Sequence, residues 1–221
     1  MPSGLIFEEN RHVKDIKLKM HPSLRREAFD YLFYFLKVFV CVTLVFIVLK
    51  TNVYQVTSIE GRSMYPTYDN FDILFIDILT PKFGDYRRGD VVIIQPPTEY
   101  VTANKNFIKR VIGLPEETIA VKDGAIIVYN KDYSRGVVLN EKDYLEKTVK
   151  TYSASNNMDE YKFKKLGKDE YFLMGDNRGG STDSRRFGSI KKSEILGRSL
   201  YQSVPANKAG VFKLPSYNIN N

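Results

Sequence analysis

The rhythm of apolar positions changes once along this chain, near residue 50. From Tyr31 to Leu49 the sequence YLFYFLKVFVCVTLVFIVL is apolar on every side, with Lys37 its one blemish. At about 1.5 Å per residue a helix of this length approaches the roughly 30 Å hydrocarbon thickness of a bilayer. The pattern therefore predicts an N-terminal tail at 1–28 and a single transmembrane helix at 29–50. Lys37 lies in the first half of the span, where its stem can snorkel toward the nearer surface. A cleaved leader would end in small residues at alternate positions, and Leu49-Lys50-Thr51-Asn52-Val53-Tyr54 offers none. A buried core helix would keep a polar face. The segment reads as a retained anchor.

Beyond residue 50 the apolar runs become short: Phe71 to Ile78, Asp90 to Ile94, Phe107 to Ile112, Ile126 to Tyr129 and Tyr171 to Met174. Turn signals separate them, at Pro81-Lys82-Phe83-Gly84, Pro96-Pro97, Asp123-Gly124 and Gly179-Gly180. This predicts a mainly β domain over 51–221. Residues 141–168, rich in Lys, Asp, Asn, Ser and Tyr, read as a variable surface insertion that is partly helical at most.

Charge adds an orientation. Arg11, Lys14, Lys17, Lys19, Arg25 and Arg26 precede the apolar helix, and Lys50 and Arg62 are the cations soon after it. The excess on the amino-terminal side predicts a cytoplasmic N-terminus and an extracytoplasmic β domain close to lipid. The overall balance of 33 Lys+Arg against 26 Asp+Glu is spread along the chain, and no basic cluster with interleaved aromatics points to nucleic acid. The single Cys41 lies inside the apolar stretch, so the domain folds without a disulfide of its own.

Elimination narrows the chemistry. Both histidines, His12 and His21, precede the span, so the β domain carries neither His nor Cys. A Ser-His-Asp triad, a Cys-His pair and the usual zinc ligand sets are excluded there. No Asp-Thr/Ser-Gly signature and no glycine-rich phosphate loop occurs, and no metal or cofactor is expected. What remains for hydrolysis is a hydroxyl activated by a neutral lysine. A free lysine titrates at about 10.4, and lowering that by roughly three units takes about 4 kcal/mol of desolvation.

Lys109 is one candidate, since strand alternation in Asn106-Phe107-Ile108-Lys109-Arg110-Val111-Ile112 puts it on the face of Phe107 and Val111. The local pattern alone fits a snorkelling or ion-paired lysine as well. Ser63 is its counterpart: Gly61-Arg62-Ser63-Met64-Tyr65-Pro66-Thr67 sets a hydroxyl between a flexible glycine and a rigid proline, where Oγ and a backbone N–H can both be presented. Alone, such a serine also fits a simple turn former.

Read in order, these segments resemble the boxes of the type I signal peptidases, over most of residues 35 to 215. Ser63-Met64-Tyr65-Pro66-Thr67 is similar to the family's nucleophile box, and Arg88-Gly89-Asp90-Val91-Val92 to the strand box that follows. Ile108-Lys109-Arg110-Val111-Ile112-Gly113-Leu114-Pro115 is similar to the base box. Gly175-Asp176-Asn177-Arg178, with Ser181, Asp183, Ser184, Arg185 and Gly188, is similar to the last box. The resemblance implies a signal-peptidase-type β-sheet catalytic domain, with Ser63 as nucleophile and Lys109 as general base. It implies that Ser181 orients the lysine, that Asp183 and Arg185 support the loop as an ion pair, and that Gly175 lets backbone pass beneath the lysine. Two positions depart from the pattern. Some members carry a second hydroxyl donor to the oxyanion where this chain has Gly61, which leaves the Ser63 N–H, and the family's Leu-Pro-Gly ends here in Glu116.

The implied substrates are the signal peptides of exported preproteins, docked extended against a strand edge and cut after a small-x-small motif. Ile59, Met64 and Ile108 are the expected pocket lining. Lipid is the other expected partner, and a monomer the expected state. Two rivals are a non-catalytic membrane-tethered assembly factor, disfavoured by the retention of Ser63 and Lys109, and a self-cleaving repressor-type regulator, disfavoured by an anchor where a DNA-binding module would stand.

Overall fold

In a computed structural model the described residues are 22–100, 105–153, 160–163 and 165–219. The cationic stretch that precedes Pro22, with both histidines, lies outside them. The chain divides into two compact units, Met1–Ile47 and Val48–Asn221.

The described part of the first unit is helical. Helix α1 runs over Pro22–Asn52, beginning earlier than the apolar run that predicted it. Within it Arg25–Lys50 has a mean hydropathy of 2.7 and is long and apolar enough to cross a membrane. Its Phe, Val, Leu and Ile side chains are exposed around the helix, as a lipid-facing segment requires. The Lys37 ammonium stands 4.6 Å over the Phe33 ring, one turn back along the helix.

The second unit is built on two antiparallel sheets. Its strands in chain order are β1 (Tyr54–Ser58), β2 (Ile73–Asp77), β3 (Val91–Ile94), β4 (Phe107–Gly113), β5 (Thr118–Lys122), β6 (Ala125–Tyr129), β7 (Val137–Val138), β8 (Glu160–Lys162), β9 (Glu170–Met174), β10 (Ile190–Lys191), β11 (Ile195–Val204) and β12 (Gly210–Val211). The larger sheet has the order β1-β2-β11-β3-β4-β9-β10 with β12 added to β11, and the smaller has the order β7-β6-β5-β8. All five predicted runs are strands: β2, β3, β4, β6 and β9.

Alternation explains the packing. Along β3, Val91 and Ile93 join a core with Ile59, Met64, Tyr68, Leu74, Ile76 and Ile108. Val92 and Ile94 turn the other way, to Tyr86, Val111, Tyr171, Leu173 and Ile195. A strand with no polar position is thus covered on both faces. Ile112, at the end of β4, reaches a third core formed with Ile119, Ile126, Val128 and Phe172, where the smaller sheet is anchored. Each fully buried Ile or Leu contributes about 1.5–3 kcal/mol.

In the stretch 141–168, expected as a surface insertion, most of the described residues from 142 to 152 are exposed, and Leu145, Thr151 and Leu166 are the buried points that tie it down. The segment from Glu141 to Ser153 is made of turns without a helix, and Glu141 forms an ion pair with the buried Arg178. The remainder of that stretch, 154–159 and 164, lies outside the described residues.

Candidate active site

Ser63 sits in the connection from β1 to β2. Ile59 N–H donates to the Asp72 carbonyl and Phe71 N–H to the Ile59 carbonyl, 2.9 Å each, closing a loop around the serine. Gly61 adopts φ +93°, a conformation other residues rarely hold, and its N–H donates to Asn70 Oδ1 at 2.8 Å. A turn follows, with Tyr65 N–H donating to the Arg62 carbonyl and Tyr68 N–H to the Met64 carbonyl.

Lys109 enters from the middle of β4, opposite Val92 of β3. Its Nζ lies 2.9 Å from Ser63 Oγ and donates to the Ile108 carbonyl at 2.8 Å. The Phe107 ring centroid is 4.8 Å away, on the face that alternation gives both residues. Lys109 is only 2% exposed. Burial pushes its amine down to about 8, against the pull of the Asp183 and Asp176 carboxylates, while Arg185 pushes the same way as burial.

Beneath this pair lies the Gly175–Arg178 loop. A Cβ on Gly175 would collide with Ser181 Oγ and the Ser63 carbonyl oxygen, so the position admits glycine only. Gly175 N–H donates to Asp183 Oδ2 at 3.0 Å. Arg185 donates to both oxygens of Asp183 at 2.8 Å, and Asp183 Oδ1 also accepts the Arg185 N–H at the start of helix α2 (Ser184–Phe187). Burial raises the Asp183 carboxyl, but its hydrogen bonds to Arg185, the Arg185 charge and the Gly175 N–H outweigh that and hold it below the ordinary carboxylate range. Ser181 packs against the same glycine, its Oγ the atom nearest to a Cβ built on Gly175, and its hydroxyl is a further group that holds the Asp183 carboxyl down. The Lys109 amine itself is directed at Ser63 and Ile108.

Ile59, Met64 and Ile108 fall into one core cluster, together with Ile93, next to the serine and the lysine. All three are buried, so they present edges rather than open faces. A cavity of about 840 Å³ opens between Pro66–Tyr68 and Phe212–Pro215, and neither Ser63 nor Lys109 lines it.

Several site residues were given no role of their own in the sequence reading. Arg110 and Asp176 form a buried bidentate pair, and Asp176 Oδ2 also accepts from Thr67 Oγ1 at 2.5 Å. Tyr144 stacks on the Arg110 guanidinium at 4.0 Å. Asn177 donates to the carbonyls of Arg62 and Ser63. Adjacency to Lys109 and Gly175 was the available signal for Arg110, Asp176 and Asn177; nothing in the local pattern marked Tyr144. No cluster of His, Cys, Asp and Glu suited to a metal occurs among the described residues.

A desolvated amine within hydrogen-bond distance of a hydroxyl is an arrangement for general-base activation of an oxygen nucleophile. Comparison with known proteins gives the chain a family. Residues 32–203 match the family described as signal peptidase, peptidase S26. Signal peptidase I T of Bacillus subtilis (strain 168) is 31% identical over 173 residues, 78% of this chain and 85% of that protein. Signal peptidase I P of Bacillus subtilis subsp. natto is 32% identical over 163 residues, 72% of this chain and 82% of that protein. A crystal structure of a signal peptidase I from Enterococcus faecalis V583 aligns at 25% identity and a TM-score of 0.38, covering 52% of this chain and 97% of that one.

Proposed function

Since the chain belongs to the signal peptidase family, peptidase S26, serine peptidases that remove signal peptides, we propose that Ser63 is the nucleophile and Lys109 the general base. The supporting observation is a single one: the Lys109 amine is 2.9 Å from Ser63 Oγ, in a site dry enough to bring its pKa to about 8. At pH 7 about a tenth of the molecules then carry a neutral amine, some hundreds of times the fraction in a free lysine.

In the reaction the neutral amine takes the Ser63 proton as Oγ attacks the scissile carbonyl carbon. The carbonyl oxygen becomes an oxyanion, received by the Ser63 N–H. The ammonium at Lys109 then returns its proton to the departing amine, leaving an acyl group on Ser63. Water, deprotonated by the same amine, releases it. The Ile108 carbonyl accepts from Nζ throughout, which leaves the amine's lone pair for Ser63. In this reading Ser181 orients the lysine, Asp183 and Arg185 support the loop as an ion pair, and Gly175 lets backbone pass beneath the pair.

The substrate in this reading is the signal peptide of an exported preprotein, extended against a strand edge and cut after small-x-small residues, with the edges of Ile59, Met64 and Ile108 against its small side chains. Residues 29–50 anchor the enzyme with the tail at 1–28 in the cytoplasm and 51–221 outside. Enzyme and cleavage site then share a thin layer at the membrane, which raises their effective concentration.

The test is to incubate the purified full chain in lipid vesicles with a labelled preprotein, beside Ser63→Ala and Lys109→Met, and to sequence the new amino terminus. A single new terminus after a small-x-small motif, absent with both variants, is expected. Cleavage by either variant at the parent rate overturns the assignment.

A further inference from the structure

Two peptide planes meet at the α-carbon of Ser63, and one residue holds both. Asn177 N–H donates to the Ser63 carbonyl at 3.0 Å, and Asn177 Nδ2 donates to the Arg62 carbonyl at 3.1 Å. The Arg62 carbonyl also accepts Tyr65 N–H at 3.2 Å. Asn177 is oriented in its turn, because its Oδ1 accepts Gly180 N–H at 3.0 Å, which assigns oxygen and nitrogen in the side-chain amide.

A trans peptide is planar, with its N–H opposed to its C=O. Holding the Arg62 oxygen toward Asn177 therefore points the Ser63 N–H the opposite way. We infer that Asn177 is a positioning residue for catalysis, aiming the Ser63 N–H at the oxygen of the scissile carbonyl. This rests on the reading above, in which that N–H receives the oxyanion. Gly61 brings no side-chain donor, and a Cβ built there meets nothing within 4 Å among the described residues. With one N–H in place of two donors, its direction carries more of the stabilisation, and a hydrogen bond weakens steeply as its angle departs from linear. Two planes earlier, the Glu60–Gly61 peptide is held as well, by Gly61 N–H on Asn70. The Asn177–Arg62 bond is at an exposed position, where water competes for it, so its contribution to stability is small. Its effect falls on orientation.

Two variants of the full chain separate the roles. Asn177→Ala removes both side-chain bonds; Asn177→Asp keeps an acceptor for Gly180 N–H but no donor for Arg62. Both are assayed on a synthetic signal-peptide substrate, and for affinity toward the same peptide ending in an aldehyde at the scissile position. Ser63 Oγ adds to the aldehyde carbon while its proton passes to Lys109, so the adduct oxygen mimics the oxyanion. The expected result is a fall of about tenfold in kcat for both, KM within about twofold, an unchanged melting temperature, and an equal loss of aldehyde affinity. Parent-like kcat in either variant overturns the inference, as does a fall in kcat with aldehyde affinity intact. Parallel measurement of Ser63→Ala tells the two readings apart: an active Ser63→Ala removes the mechanism and this inference with it, whereas an inactive Ser63→Ala beside a fully active Asn177→Ala removes the inference alone.

Discussion

Arg110 and Asp176 face each other across β4 and the loop after β9, joined by two hydrogen bonds of 2.8 and 2.6 Å with both side chains 1% exposed. Arg110 follows Lys109 and Asp176 follows Gly175, so this pair fixes the two backbones between which the amine lies. Asp176 also holds Thr67 at the far end of the Ser63 turn. Asp176→Ala leaves a buried guanidinium uncompensated and is expected to cost about 3–5 kcal/mol of stability. Chemical denaturation measures it; a loss under about 1 kcal/mol contradicts the pairing.

The pH dependence of turnover follows from the same amine. With Lys109 as the proposed general base, turnover requires its amine neutral, so kcat/KM is expected to rise with pH and level above a midpoint near 8, the value to which burial brings the amine. Asp183 raises that value and Arg185 lowers it. Arg185→Gln therefore moves the midpoint to higher pH in whatever activity it retains. A profile flat from pH 6 to 10, titrated with a peptide lacking ionisable groups, would contradict the base assignment.

Stability and activity are opposed at position 109. Below pH 8 both folded and unfolded chains hold a protonated lysine, and the folded one bears the whole desolvation cost, about 3 kcal/mol for a shift from 10.5 to about 8. Between pH 8 and 10.5 the unfolded chain binds more protons, so the parent gains stability as pH rises. Lys109→Met, inactive, is expected to match or exceed the parent's melting temperature at pH 7. The advantage shrinks as pH approaches 10.5, and thermal melts at both ends of that range check the sign.

Gly175→Ala tests the contact below the dyad. The added methyl meets Ser181 Oγ and the Ser63 carbonyl, and relief requires the serine turn to shift. Loss of about 1–3 kcal/mol and of roughly a hundredfold in kcat is expected. Full activity with an unchanged melt would mean that the loop yields freely.

Much of this was legible before any coordinates. The strands with clean apolar runs were found because their alternation is a local property, visible in β2 and β3. Ser63 and Lys109 could be named together because residue types disfavoured other hydrolytic sets and ordered motifs resembled those of a known family, and the two side chains stand 2.9 Å apart. β11 was not: Ile195–Val204 contains Gly197, Arg198, Ser199 and Gln202, which break the apolar rhythm. Their partners are far away, with Arg198 on Asp77, Ser199 on Tyr68 and Gln202 on Asp72. Polar residues satisfied by long-range pairing look like surface residues in a sequence. Glu141 and Tyr144 went unmarked for that reason, within a stretch read only as a surface insertion, and they reach Arg178 and Arg110.

The position of β11 in the larger sheet sets when the enzyme can first act. Ser63 belongs to the hairpin of β1 and β2, and Lys109 to that of β3 and β4; β11 is the strand hydrogen-bonded to both, at β2 and at β3. A chain made from its amino terminus could form each hairpin early, yet the two would lack their hydrogen-bonded seam until residues 195–204 arrived. The meeting of the Ser63 hydroxyl with the Lys109 amine is thereby deferred until nearly the whole larger sheet exists.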